Sequence, residues 1–355
     1  LSLKQRLIEQ ITLEGPISVA DYMARCLLDP IDGYYTRRPG LGADGDFITA
    51  PMVSQMFGEM IGVWVAETWT AMGSPPFRLV EIGGGDGTLM SDILRVTARV
   101  PGLKTSARIT MVEPSPVLRA RQATAVPDAE FLPVVEALPD DLPLIIVANE
   151  VLDCLPARQY VRVNDGWHER MVGVRAGVLV FGLAPEKSEL PEISNCNDGD
   201  LFEYSPEQVR FTRTLCDKLK ANSGAALLID YGRAHTEPGD TLQALHRHQK
   251  HDPLAAPGDH DLTVWADFPA VAAAAARASI TTSNITPQAA FLRYMGIDAR
   301  LEALKASNPS QADKLQRQYD RLVAPDQMGE LFKVLAFAYP ASIPLIGLEA
   351  EVPGS

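Results

Sequence analysis

A chain of 355 residues, 46% hydrophobic and 22% charged, has room for one elaborated domain or two and the balance of an ordinary globular protein. Its formal net charge of −13 argues against the basic face that nucleic-acid binding needs; it suits a cationic ligand, although acidity also serves plain solubility. No apolar run approaches the roughly 18 residues that span a bilayer. The start, Leu1-Ser2-Leu3-Lys4-Gln5-Arg6, is interrupted by charge too early for a signal peptide, while the missing initiator Met leaves a removed targeting segment open. Cys26, Cys154, Cys196 and Cys216 form no CxxC pair, so reduced thiols in an intracellular compartment are expected.

In chain order, the first stretch reads as a helical preface: Ser18 precedes Val19–Arg25, with Asp21 at the capping-box position. Asp32-Gly33-Tyr34-Tyr35 marks a turn, and residues 40–47 form a glycine-rich loop with glycines at 40, 42 and 45. Pro51 opens a periodic helix in which Phe57, Met60, Ile61, Trp64, Val65 and Thr68 share one face, read as a core stripe. Gly58 and Gly62, one turn apart, would let another helix approach closely.

From Arg78 strands and helices alternate. Strands are expected at 79–82, 109–112, 131–135 and 144–148, with helices over 88–100 and from Pro116. The alternation then gives way to an antiparallel meander over 159–163, 167–174 and 178–183, with turns at Asn164-Asp165-Gly166 and Arg175-Ala176-Gly177. Residues 185–200 read as a loop. Ser205-Pro206-Glu207-Gln208 starts a helix, with Ser as N-cap, Pro at N1 and Gln at N3. Residues 225–229 restore the parallel sheet. An Ala-rich helix covers 271–279, helix dominates 298–323, and 331–337 reads as a last, edge strand. The expected fold is α/β: a Rossmann-like sheet with helices on both faces, an N-terminal helical extension and an inserted β-meander. The expected division is an extension and lid loop at 1–75, the main domain at 76–340 with its insertion at about 156–222, and a tail at 341–355.

Glu81-Ile82-Gly83-Gly84-Gly85-Asp86-Gly87-Thr88 joins a strand to a helix. Glycines at 83, 85 and 87 let the backbone turn sharply and approach a ligand with no Cβ in the way. The dinucleotide fingerprint has its third glycine one residue later, where Thr88 stands, so the spacing favours S-adenosylmethionine over a nicotinamide dinucleotide. Glu113, ending the second strand, can accept both ribose hydroxyls, and Glu81 can orient the methionyl ammonium directly or through water. The alternative is a Rossmann-like domain with another ligand or none.

Asn149-Glu150-Val151-Leu152-Asp153 follows the fourth strand, where ligands of open α/β sheets sit. Asn149 can accept from a substrate N–H, and the carboxylates of Glu150 and Asp153 can hold a guanidinium. For Asn149 and Asp153 a helix N-cap is the competing reading. His246, His248 and His251 read as a hydrogen-bonded loop more readily than as a metal site, so no metal is expected.

Several segments together resemble the MidA-type (DUF185) methyltransferase family, which includes a mitochondrial complex I assembly protein-arginine methyltransferase. They are Gly33-Tyr34-Tyr35, Gly45-Asp46-Phe47-Ile48-Thr49 with residues 54–59, the stretch 79–89, and Asn149–Pro156. Downstream come Asp230-Tyr231-Gly232, residues 254–258 with 261–263, residues 291–297, and Met328-Gly329-Glu330. The match runs in order from about residue 15 to 337. Met52 stands where the family often has an acidic residue, and Gly84 and Asp86 where Pro and Arg are common.

The resemblance implies a class I methyltransferase using S-adenosylmethionine, with Asp46, Phe47, Thr49, Glu81, Gly83, Gly85, Gly87 and Glu113 binding the cofactor. It implies Asn149, Glu150 and Asp153 as catalytic residues. The loop around Phe47 is expected to close as a lid, with an ordinary surface turn as the alternative. The implied reaction is arginine N-methylation of a protein, a respiratory complex I-type subunit. The alternative is a cofactor-binding assembly factor or chaperone without turnover. A homodimer is an open option. Arginines outnumber lysines 23 to 9, a bias that points to a bacterial cytoplasmic protein; a eukaryotic member would sit in the mitochondrial matrix.

Overall fold

Short polar caps set where the helices begin. The Ser2 hydroxyl accepts from the Gln5 N–H, and the Gln5 side chain accepts in return from the Ser2 N–H, which starts α1 (Leu3–Glu14). Ser18 accepts from the Asp21 N–H at 3.0 Å and starts α2 (Val19–Leu28). The helix expected from Pro51 comes in two pieces. A short helix, Ala50–Val53, ends at Ser54, whose extended backbone (φ −161°) interrupts it, and the Ser54 hydroxyl then caps α3 (Gln55–Ala71). The structure, a computed structural model, describes residues 1–37, 49–164, 166–190, 196–246 and 249–348.

Then follow β1 (Phe77–Ile82), α4 (Thr88–Thr97), β2 (Ala107–Val112), α5 (Pro116–Ala125), β3 (Glu130–Leu132) and β4 (Leu144–Asn149). The middle of the chain contributes β5 (Arg158–Val163), β6 (Gly166–Arg175), β7 (Val178–Ser188), β8 (Leu201–Tyr204), α6 (Pro206–Asn222) and β9 (Gly224–Arg233). The last long elements are α7 (Ile297–Ser307), α8 (Ala312–Val323) and β10 (Phe332–Tyr339). The third parallel strand stops at Leu132, short of the expected 135, because Pro133 has no N–H for the ladder. The expected loop at 185–200 begins later, since β7 runs on to Ser188.

The chain divides into two compact units. One gathers the described parts of 1–47, 152–210 and 235–267; the other gathers 48–151, 211–234 and 268–355. In the first, β6 lies between β7 on one side and β5 on the other, and β5 also pairs β8. A two-residue strand, Ile17–Ser18, joins the β5 side of β6. Ala176 (φ 52°) and Gly177 (φ 77°) form the tight hairpin turn between β6 and β7, the left-handed pair that matches strand twist. Leu3, Leu7 and Ile11 of α1 and Val19, Tyr22, Met23 and Cys26 of α2 share a core with Val172, Leu179 and Leu262.

The second unit is built on a sheet ordered β10-β9-β4-β1-β2-β3, parallel throughout except for β10. The chain runs from β1 outward to β2 and β3, then returns to β4 on the other side, so the order reverses between β1 and β4. Every residue of β1, β4 and β9 is buried, as strands covered on both faces must be. The expected edge strand is inner: β10 pairs β9 on one side and the short pieces Thr281–Thr282 and Thr286–Pro287 on the other. Its run from Val334 to Ala338 is wholly buried, a burial that an edge facing water would not provide.

On this sheet α3 and α4 pack at glycine distance. A Cβ on Gly58 would fall 2.5 Å from the Asp92 Cβ, and one on Gly62 would fall 2.9 Å from the Val96 Cβ. Buried Glu59 beside them is held by Arg300 of α7, two contacts of 2.7 Å, and by Arg95 of α4 at 3.4 Å; a buried charge needs such partners.

Candidate functional site

The loop between β1 and α4 holds three alternate residues in the left-handed region: Gly83 (φ 66°), Gly85 (φ 55°) and Gly87 (φ 88°). Any L side chain would be strained at each. The three glycines also differ from one another. Gly87 is the N-cap of α4, and a Cβ there would fall 2.9 Å from the Ala125 Cβ and 3.3 Å from the Gln122 Cα, so its bareness serves the packing of α5. A Cβ on Gly83 would fall 2.9 Å from a Val151 methyl at the end of β4. The loop is tied down by the Gly83 N–H to the Val112 carbonyl (3.0 Å), the Gly87 N–H to the Gly84 carbonyl (2.8 Å) and the Thr88 N–H to the Asp86 carboxylate (3.0 Å).

Glu81 sits two residues before this loop and is 2% exposed. Burial pushes its carboxyl up to about 8; a bond from the Met90 N–H opposes the shift, and the charges of Asp86 and Glu113 add to it. Its Oε2 is buried with no hydrogen-bond partner. Glu113 follows β2 and is 4% exposed. Burial raises its pKa too, opposed by the Ser115 N–H on Oε1 (2.9 Å) and the Gln122 amide on Oε2 (3.2 Å). The same Gln122 amide nitrogen donates to the Gly85 carbonyl at 3.0 Å, so one side chain joins the glycine loop to the acid of the neighbouring strand.

At the switch point, Glu81 lies beside Val147 in the β1–β4 register. Asn149 is two residues further along β4, so Glu81 and Asn149 address the same face of the sheet. The Asn149 Nδ2 donates to Glu150 Oε1 at 2.9 Å, while its Oδ1 is buried without a partner. Glu150 has φ 55°, an uncommon conformation for a non-glycine residue, and its Oε1 also accepts from the Ala50 N–H at 3.3 Å. Thr49 is the N-cap residue of the short helix Ala50–Val53 and makes no side-chain cap bond. Thr49, Asn149 and Glu150 are thus brought together.

Asp153 belongs to the other unit. It is 6% exposed within a turn closed by the Leu155 N–H on the Leu152 carbonyl, and its own carbonyl accepts from the Val264 N–H at 2.9 Å. No helix lies in 150–157, so the N-cap reading of Asn149 and Asp153 has no helix to cap. Asp46, Phe47 and the expected lid loop lie outside the described residues, as does His248. The His251 and His260 rings approach to 4.6 Å between centroids, and among the described residues no three His, Cys, Asp or Glu side chains are grouped to hold a metal.

The residues fit S-adenosylmethionine. Glu81 Oε2, a buried acceptor without a partner, suits an ammonium donor, and Asn149 Oδ1, a second such acceptor, is open to another N–H donor. Glu113 retains lone pairs for ribose hydroxyls beyond its two internal bonds, and Gly83 and Gly85 leave backbone exposed or half-exposed for close approach, whereas Gly87 is buried. Sequence reasoning missed Gln122. Its one signal is spacing, since it lies one turn after Leu118 on the buried face of α5, a polar residue where a core residue is expected.

A protein-family profile described as "Putative S-adenosyl-L-methionine-dependent methyltransferase" matches residues 60–286. The Danio rerio protein arginine methyltransferase NDUFAF7, mitochondrial, is 36% identical, over 94% of this chain and 86% of its own length. The Homo sapiens protein of the same name is 34% identical, over 94% and 82% respectively. Among solved structures, a methyltransferase candidate from Burkholderia thailandensis bound to S-adenosyl-homocysteine superposes with a TM-score of 0.81 at 30% identity. It covers 96% of this chain and 92% of that one.

Proposed function

This chain belongs to the MidA-type family of S-adenosylmethionine-dependent methyltransferases, and on that premise we propose that it methylates an arginine nitrogen of a protein, a complex I-type subunit. The observation that carries the reading is the strained, hydrogen-bonded Asn149-Glu150 pair at the carboxyl end of β4, on the sheet face that Glu81 shares. The relatives named as protein arginine methyltransferases support the choice of nitrogen.

S-adenosylmethionine supplies an electrophilic methyl group when bound. Glu81 and the backbone of Gly83 and Gly85 hold its methionyl end, and Glu113 its ribose. Thr49 borders the same site; Asp46 and Phe47, outside the described residues, are assigned to the cofactor on the strength of the family resemblance alone. A guanidinium, with a pKa above about 12, is a poor nucleophile until it is oriented and its charge is drawn away from the attacking nitrogen. The Glu150 carboxylate accepts from the guanidinium N–H groups, pulls positive charge toward the nitrogens it holds, and takes the proton released on transfer. Asn149 Oδ1 accepts from the attacking nitrogen and fixes its direction. Asp153, three residues on in the chain, is assigned as a second carboxylate for the same cation on the strength of its place in the sequence.

The test is methyl transfer from labelled S-adenosylmethionine to arginine-containing peptides of candidate complex I subunits, read by mass spectrometry. Glu150→Gln should keep cofactor affinity and lower transfer about a hundredfold, the scale of losing one preorganised electrostatic group. Normal turnover by Glu150→Gln removes the carboxylate clamp. Tight cofactor binding with no transfer to any peptide favours an assembly factor.

A further inference from the structure

We infer that Gln122, a fully buried amide on α5, is a positioning residue of the cofactor site: it locks the glycine loop at Gly85 to the Glu113 carboxylate and so holds Glu113 ready for the ribose. The inference rests on the cofactor assignment of Gly85 and Glu113 above.

The amide nitrogen has two hydrogens and both are used, one on the Gly85 carbonyl at 3.0 Å and one on Glu113 Oε2 at 3.2 Å. Turning the amide over would set its oxygen against a carbonyl and a carboxylate, so its orientation is determined by its neighbours. The price is the Gln122 Oε1, which is buried with no partner. A leucine at this position, one turn after Leu118 on the same face, would bury as well without that cost. The polar side chain is therefore explained by its two bonds rather than by packing. The Ser115 N–H fixes the other oxygen, Oε1, at 2.9 Å. Together the two donors set the plane of the carboxylate and oppose the burial that raises its pKa. The third contact is steric: the Gln122 Cα lies 3.3 Å from where a Gly87 Cβ would be, so α5 meets the loop at this residue.

The experiment is titration calorimetry with S-adenosylhomocysteine and with its 2′-deoxyribose analogue. It uses the full-length wild type, Gln122→Met, Glu113→Gln and the double variant, each with a melting temperature. Met keeps the volume and removes both donors. Gln122→Met should weaken S-adenosylhomocysteine binding about tenfold to a hundredfold, the scale of a hydrogen bond to a charged group. It should weaken the deoxy analogue clearly less, because a ribose contact of Glu113 is already absent there. In the Glu113→Gln background the same substitution should cost clearly less than it does alone. Gln122→Glu, isosteric but a second carboxylate beside Glu113, should bind worse still at neutral pH, and its deficit relative to wild type at the same pH should shrink as pH falls and the pair shares a proton.

Wild-type affinity in Gln122→Met overturns the inference. So does equal weakening of both ligands with full additivity in the double variant, which is what a purely structural residue would give. Wild-type affinity in Glu113→Gln is a different failure: it removes the ribose assignment itself and leaves Gln122 as a loop anchor only.

Discussion

The carboxyl ends of β1 and β2 and the carboxyl end of β4 lie in one sheet, yet they solve opposite problems. At β1 and β2 the acids Glu81 and Glu113 are almost wholly buried, both have raised pKa values, and the strain of left-handed backbone falls on glycines that bear it at little cost. At β4 the strain falls on an acidic side chain, Glu150, whose carboxylate is held between the Asn149 amide and the Ala50 N–H. On the proposed reading, the first region is a cradle in which burial sharpens recognition. On the same reading, the second accepts local strain to aim one charge. Backbone that touches a ligand can be glycine; a side chain that acts on a substrate cannot.

The largest expected effect attacks the cradle. Gly85→Val forces a β-branched residue to φ near 55° and places methyls where the backbone should meet the ligand. S-adenosylhomocysteine affinity should fall at least about a hundredfold by calorimetry, with far-UV circular dichroism unchanged. Unchanged binding heat would mean that Gly85 is only a turn residue.

A smaller effect tests the buried acid. A free protein whose Glu81 titrates near 8 must lose that proton before the carboxylate can take an ammonium. Apparent affinity for S-adenosylhomocysteine should therefore drop up to about tenfold per unit as pH falls from 8 to 6, a range in which the ligand's amine stays charged. Glu81→Gln should be weaker and flat over the same range. The stability sign runs the other way. The folded protein holds a proton that the unfolded chain, near the ordinary 4.5, releases, so wild-type stability should fall as pH rises from about 4.5 to about 8. Glu81→Gln should escape that loss. A wild-type affinity that does not change with pH would place Glu81 outside the ligand's reach.

The smallest effect tests whether β4 really pays for its geometry. Glu150→Ala and Glu150→Gly delete the same contacts and differ only in tolerance of φ 55°. Glycine should be the more stable by about 1 kcal/mol in denaturant melts, and both should be equally inactive. If alanine is as stable as glycine, the left-handed backbone is not imposed by the fold and the contrast between the two regions fails.

The strand–glycine–helix turn is legible in the sequence because it is local. Gly83, Gly85 and Gly87 follow Glu81 within six residues, and the alternation of strands and helices around them is set by neighbours in the chain. The hairpin turn at Ala176-Gly177, the Ser205 cap of α6 and the close approach permitted by Gly58 and Gly62 were readable for the same reason. Gln208 shows the limit. It stands at N3 as a capping-box residue should, but its amide also reaches the Leu152 carbonyl and the Asp267 N–H, partners that no local pattern announces.

What tertiary structure decided is every partnership across long stretches of chain. The strand Ile17–Ser18 pairs with Val172 and Met171, some 150 residues away, and two residues carry no periodicity to announce it. Whether β10 is an edge or an inner strand depends on the pieces at 281–282 and 286–287, too short to read as strands. Gln122 reaches Gly85 because α5 packs against the glycine loop, and Glu150 meets the Ala50 N–H across 100 residues. Local sequence sets backbone preference and the pattern of burial; which buried donor meets which acceptor is decided only when the sheet is assembled, because hydrogen bonds have a short reach and the topology alone brings their partners within it.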